Sequence, residues 1–117
     1  MTEEKENKIR HELGRCLLGM GVYPNVVGYY NLICSVIYVV DCGNSYTSAC
    51  SAYAYVGGQT GKSSASVERS IRTVIAKCEN THTLEKLNDF FGYEVYNNYT
   101  LSASELISLF AEKYIND

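Results

Sequence analysis

Four cations and a run of hydroxyls crowd one short stretch of this chain. Lys62, Ser63, Ser66, Arg69, Arg72, Thr73 and Lys77 fall between Gly61 and Cys78, with Glu68 as the acid among them. Such a set has a definite chemistry. A lysine and a serine beside a helix N-terminus can hold a phosphate. An arginine can bind guanine through two parallel hydrogen bonds, and a glutamate can accept from the cytosine amino group. The same residue types can equally be the solvated face of an ordinary surface helix, so the elements that carry them must decide.

The spacing predicts a helix over about Ser64–Cys78. Val67, Ile71, Val74, Ile75 and Cys78 recur at helical intervals and form one apolar stripe. Arg69, Arg72 and Thr73 point away from that stripe, and Glu68 lies at its edge. Ser63 or Ser64 supplies the N-cap. Gly61 suits a left-handed turn position just before it.

Five further helices are expected. The first covers Glu4–Met20, with Ile9, Leu13, Cys16, Leu17 and Met20 as its stripe, and Val22-Tyr23-Pro24 stops it. Asn25 caps a second, running to about Cys42. Its centre, LICSVIYVV, is β-branched enough for a strand, but its length and lack of alternation favour a buried helix. Gly43-Asn44 closes it. Ser45 or Thr47 caps a third, through Ala49, Ala52, Tyr53 and Val56, whose end Gly57 and Gly58 make fragile. Thr83 begins a fifth, ended by Gly92. Tyr93–Thr100 reads as a loop or short extended piece. Ser102 and Glu105 form a capping box for the sixth, which carries Leu106, Ile107, Phe110 and Tyr114. The expectation is one all-α domain over residues 1–117, with six helices and a helix-turn-helix at about 46–78.

Composition sets further bounds. The 117 residues suit one domain with its own core. The net charge of −3 opposes diffuse nucleic-acid binding, because such binding rests on neutralising phosphates. Between Lys62 and Lys77, however, four basic residues face one acidic residue, so the positive charge is local. No segment is apolar and long enough to span a bilayer, and MTEEKENKIR lacks the apolar core of a signal peptide. No membrane association and a cytoplasmic location are the expectations. Cys16, Cys34, Cys42, Cys50 and Cys78 show no paired spacing, and His11 and His82 sit near no paired ligands, so no metal site and no cofactor are expected. The thiols read as free and mostly buried. With no Trp in the chain, most of the eleven tyrosines are expected to fill core or half-buried volume.

Two enzymatic readings fail on chemistry. GGQTGKS at Gly57–Ser63 has its first glycine one residue late for a nucleotide-binding loop, and no strand precedes it. Glu85 and Asp89 share a helix face but look solvated, and no cysteine or histidine has an evident partner for nucleophilic catalysis. The chain does not read as an enzyme.

Several segments resemble a known family in order along the chain. SVERSIRTVI at Ser66–Ile75 is similar to the recognition-helix segment of the stage zero sporulation protein A family. HELGRCLLGMGVYPNVVGYY, LNDFFGYEV and SASELISLFAEKY are similar to its other parts, and the likeness runs from about Lys8 to Tyr114. The resemblance is to that family's C-terminal effector domain, here as a stand-alone chain. It implies six helices, a helix-turn-helix made by the third and fourth, and insertion of the fourth in the major groove of double-stranded DNA. It implies DNA binding through Lys62, Ser63, Ser66, Glu68, Arg69, Arg72 and Thr73. Glu68 and Arg69 fall at groove-facing positions, Arg72 at a base or backbone contact, and Lys62 and Ser63 near phosphates. It also implies a homodimer or pairing with a related regulator.

Two departures from the family stand out. Ser66 occupies a position where the family has an arginine, so weaker or altered specificity is expected. Gly57, Gly58 and Thr60 replace a helix-favouring run, which should loosen the third helix. The alternative function is a protein-interaction module that pairs with a full-length family member through the fifth helix and Tyr93–Tyr99.

Overall fold

A computed structural model describes residues 1–43 and 49–115 of the chain. These residues form six helices and no strand: α1 (Glu3–Gly19), α2 (Val27–Cys42), α3 (Ala49–Thr60), α4 (Ser64–Asn80), α5 (Lys86–Phe91) and α6 (Ala103–Ile115). The all-α expectation holds. The suggested caps at Ser45 and Thr47, and the first residues of the expected helix-turn-helix, lie outside the described residues.

The helix α2 is the axis of the fold. It is apolar on nearly every side, with Leu32, Ile33, Val36, Ile37, Val39 and Val40 all buried. A helix hydrophobic all round has no face for solvent and must be surrounded. It packs against α1, α3, α4 and α6. The β-branched centre that could have been a strand is therefore helical because neighbouring helices cover it on several sides.

Local signals explain most helix ends. Thr2 caps α1 by accepting from the Lys5 N–H at 3.1 Å. Gly43 closes α2 in the left-handed region, φ 71°. Ser102 and Glu105 cap α6 reciprocally: Glu105 Oε1 accepts from the Ser102 N–H at 2.9 Å, and Ser102 Oγ accepts from the Glu105 N–H at 3.1 Å.

Other boundaries depart from expectation. Asn25 does not cap α2. The Val26 N–H donates to the Tyr23 carbonyl at 3.0 Å, so a turn at Pro24 delays the helix and puts Val26 at the cap without a side-chain bond. Thr83 does not begin α5. Its hydroxyl donates to the Met20 carbonyl at 3.1 Å, tying the end of α4 to the end of α1, and α5 starts only at Lys86. The helix α3 runs through Gly57 and Gly58 to Thr60.

Side-chain burial also differs from expectation. Only Cys78 among the cysteines is buried, Cys16 and Cys34 are half-buried, and Cys42 and Cys50 are exposed; all five are free of disulfides. Burial pushes the Cys16 thiol up to about 12, the nearby Cys78 adding to the effect. Of the ten described tyrosines, Tyr53 and Tyr114 are in the core, Tyr29, Tyr38 and Tyr96 are half-buried, and Tyr23, Tyr30, Tyr55, Tyr93 and Tyr99 are exposed. Phe90, Phe91 and Phe110 supply the aromatic packing at α5 and α6 instead.

Candidate nucleic-acid interface

The helix α4 divides its faces as its periodicity requires. Val67, Ile71, Val74, Ile75 and Cys78 are buried. Arg69, Arg72 and Thr73 are exposed on the far side, Glu68 and Ser66 are partly covered, and Lys62 and Ser63 are exposed in the turn. The structure therefore brings all seven expected residues onto one outward surface and its leading turn.

Two close approaches fix α4 in place, and both need glycine. At Gly28 on α2, a Cβ would stand 2.4 Å from the Ser70 carbonyl oxygen and 2.4 Å from a Val74 methyl. The two helices touch there without a side chain between them. Beside the contact, buried Asn31 donates through Nδ2 to Ser70 Oγ at 2.9 Å, and Ser70 Oγ donates to the Val67 carbonyl at 2.7 Å. At Gly57 on α3, a Cβ would stand 2.5 Å from the Lys62 carbonyl oxygen. The Lys62 N–H donates to the Gly57 carbonyl at 2.9 Å, and Gly61 takes φ 72°. This is a Schellman closure, with the left-handed residue one place before the donor. Gly57, whose helix propensity is poor, is thus the residue on which the α3–α4 turn folds back.

The leading end of α4 is well formed. Ser63 Oγ accepts from the Ser66 N–H at 3.1 Å, which leaves its own proton free to donate outward. The amides of Ser64 and Ala65 in the first turn have no helical acceptor and lie at the positive end of the helix dipole. At the far end the Lys77 ammonium sits over the Tyr23 ring, 5.8 Å from its centroid.

The outward face is pre-arranged in part. Glu68 Oε1 and Arg72 Nε lie 3.5 Å apart across one helical turn, an exposed pair of small energetic weight. Arg69 makes no ion pair among the described residues. Thr73 Oγ1 donates to the Arg69 carbonyl at 3.0 Å, so its hydroxyl offers a ligand only an acceptor and its methyl. Beneath this face lies buried Tyr53 of α3. Burial, then the charge of Glu68, pushes its phenol up to about 12, and Arg72 opposes them.

Ser70, Asn31 and Gly28 escaped the sequence reading, and only the spacing of Ser70 beside the apolar stripe hints at them. Among the described residues no group of three or more His, Cys, Asp or Glu is placed to hold a metal ion. No described helix is long and apolar enough to cross a membrane.

No curated protein and no solved structure matches the chain. Residues 6–114 match the family described as Sporulation initiation factor Spo0A C terminal. That family is the DNA-binding effector domain of a sporulation regulator. The match takes in all of α2 to α5 and nearly all of α1 and α6, so the chain belongs to the Sporulation initiation factor Spo0A C terminal family.

Proposed function

We propose that this chain is a DNA-binding transcription regulator that inserts α4 into the major groove, with residues 1–117 acting as one effector domain. The helices α3 and α4 act as a helix-turn-helix. The observation that carries this reading is the outward face of α4, where Arg69, without an ion pair among the described residues, stands beside Arg72 and Thr73, behind a capped N-terminus flanked by Lys62.

Each residue has a role that its chemistry supports. Lys62, the Ser63 hydroxyl and the first amides of α4 hold a phosphate and set the depth of insertion. Arg69 binds guanine through two hydrogen bonds, and Glu68 accepts from a cytosine amino group. Arg72 leaves Glu68 for a base or a phosphate. Thr73 offers its methyl to a thymine. Ser66 reaches less far than an arginine would, so the site reads fewer base edges than the family pattern allows.

Fluorescence anisotropy tests this against two duplexes, one carrying the short regulatory box that the family resemblance implies and one with that box scrambled. The box should bind tighter, and the affinity should fall steeply with salt as phosphate contacts release counterions. Equal affinity for both duplexes at low salt would sink the proposal.

A second reading has one observation in its favour. Tyr93 is 66% exposed, and Tyr99 and Phe91 lie on the same corner, with clefts against α6 lined by Leu109 and Glu112. Aromatic side chains so placed suit a protein partner, here a second copy or a related regulator. Sedimentation of the chain alone and with a full-length family member checks it: the chain sedimenting as a monomer in both samples excludes this reading.

A further inference from the structure

Between α1 and α3, over one face of α2, lies a cavity of about 310 Å³. Its position follows from a helical stripe. Tyr30, Cys34, Ile37, Tyr38 and Asp41 recur along that face of α2, and α1 and α3 each pack against the helix. The helix α1 contributes Glu6 and Arg10, one turn apart, and α3 contributes Tyr55, Val56 and Gln59. None of the residues proposed to contact DNA lines this cavity.

The lining has two parts. The walls are aromatic and apolar. Tyr38 and Tyr55 stack with ring centroids 4.9 Å apart, Tyr30 and Tyr55 are exposed, and Ile37 and Val56 back them. Rings so placed accept a planar ligand by stacking. The polar part is the pair of Arg10 and Glu6. Arg10 Nε donates to Glu6 Oε2 at 3.5 Å, and Arg10 Nη1 donates to the Cys34 sulfur at 3.8 Å. Both contacts are long. Among the described residues Arg10 Nη2 and Glu6 Oε1 have no hydrogen-bond partner, and both side chains are partly exposed, so a ligand can reach them.

Charge narrows the choice of ligand. Glu6 and Asp41 offset the guanidinium, so the lining does not select an anion. An open donor beside an open acceptor is satisfied instead by an uncharged edge that carries an acceptor next to an N–H.

We propose that this cavity binds a planar, uncharged heterocycle through a lactam edge, the edge that a guanine base presents at its O6 and N1–H. The ring lies against Tyr30 and Tyr55, Arg10 Nη2 donates to the carbonyl oxygen, and Glu6 Oε1 accepts from the ring N–H. The bound ring bridges α1 to α3 and steadies α3 across Tyr55–Gln59, the segment that contains Gly57 and Gly58. The site is independent of DNA binding by α4 and stands even if the function proposed above fails.

An amide NMR titration of the full chain with guanosine tests this. Saturable shifts should centre on Arg10, Cys34 and Gln59. N1-methylguanosine keeps the ring and loses the donor, so it should bind about tenfold more weakly, the worth of one hydrogen bond to a charged group. Glu6→Ala should weaken guanosine by a similar factor and leave N1-methylguanosine unchanged. Arg10→Met keeps the apolar stem and should weaken both nucleosides. Absence of saturable shifts overturns the site, and so do shifts centred on Arg69, which would mean that the face of α4 takes the base. Equal affinity for the two nucleosides removes the lactam edge, and the proposal with it. If Arg10→Met unfolds the chain, the two nucleosides compared on Glu6→Ala still decide.

Discussion

The two ends of the fold are held by opposite means. At the α3–α4 end, backbones meet: Gly28 lies against Ser70, and Gly57 lies against Lys62. At the α5–α6 end, rings meet: Phe90, Phe91 and Phe110 stack and edge together, and Lys113 sits 4.9 Å over the Phe90 ring. A backbone contact fixes distance and angle at once and admits no adjustment. A cluster of rings fills volume and can repack around a change. The end proposed to enter DNA is therefore the geometrically rigid one, and the end with exposed tyrosines is the adaptable one.

The strongest way to break this contrast is Gly28→Ala. Its added methyl meets a backbone oxygen at 2.4 Å, so α2 and α4 must separate. We expect a loss of about 3 kcal/mol in chemical denaturation, at the upper end for overpacking. A loss under about 1 kcal/mol would show that the seam yields and that the contrast is overstated.

Asn88→Ala probes the other end. Asn88 Oδ1 accepts from the N–H groups of Val95 and Tyr96 at 2.7 and 2.9 Å, and Nδ2 donates to the Tyr96 carbonyl at 3.0 Å. Removing all three bonds should cost about 2 kcal/mol of stability. Box affinity measured well below the melting temperature should not change, because the α3–α4 seam does not depend on that loop. A parallel fall in affinity would mean that the two ends are coupled.

Arg69→Ala should do the reverse. Stability should stay within about 0.5 kcal/mol, as for an exposed side chain, while discrimination for the box drops by about 1–3 kcal/mol. Anisotropy and denaturation on the same sample separate the two effects.

The smallest effect concerns acid. Glu105 at the start of α6 has its pKa lowered from 4.5 by the Ser102 amide and then by the Ser102 hydroxyl. Its contribution to stability is present above the unfolded pKa and is lost as pH falls through the folded one. Glu105→Gln should therefore flatten a slight part of the stability loss below about pH 4.5, measured as midpoint against pH. An unchanged acid limb would assign that loss to other carboxylates.

How much of this was legible beforehand follows from the range of each signal. The apolar stripe of α4, the Ser63 cap, the left-handed Gly61 and the Ser102–Glu105 box are all set within a few residues of chain, and periodicity finds them. Asn31 and Ser70 are separated by 39 residues, and neither is unusual where it stands. Gly57 carries a second role that propensity does not show: besides weakening the end of α3, it leaves the space that the Lys62 backbone needs. Tyrosine count told only part of the story: Tyr114 and Tyr53 enter the core and Tyr29, Tyr38 and Tyr96 pack partly against it, while five others are exposed, because a phenol can keep its hydroxyl in water as readily as fill volume.

The Gly57–Lys62 contact also governs how such a chain can change over generations. Every codon that could replace Gly57 adds a Cβ, and every Cβ meets the same carbonyl oxygen. Ser66 on the open face of α4 carries no such constraint, and its replacement alters only what the helix can reach. Under the proposed function, new DNA preferences would be open to single substitutions at Ser66 without disturbing the turn, while the turn itself would stay fixed as specificity diversified.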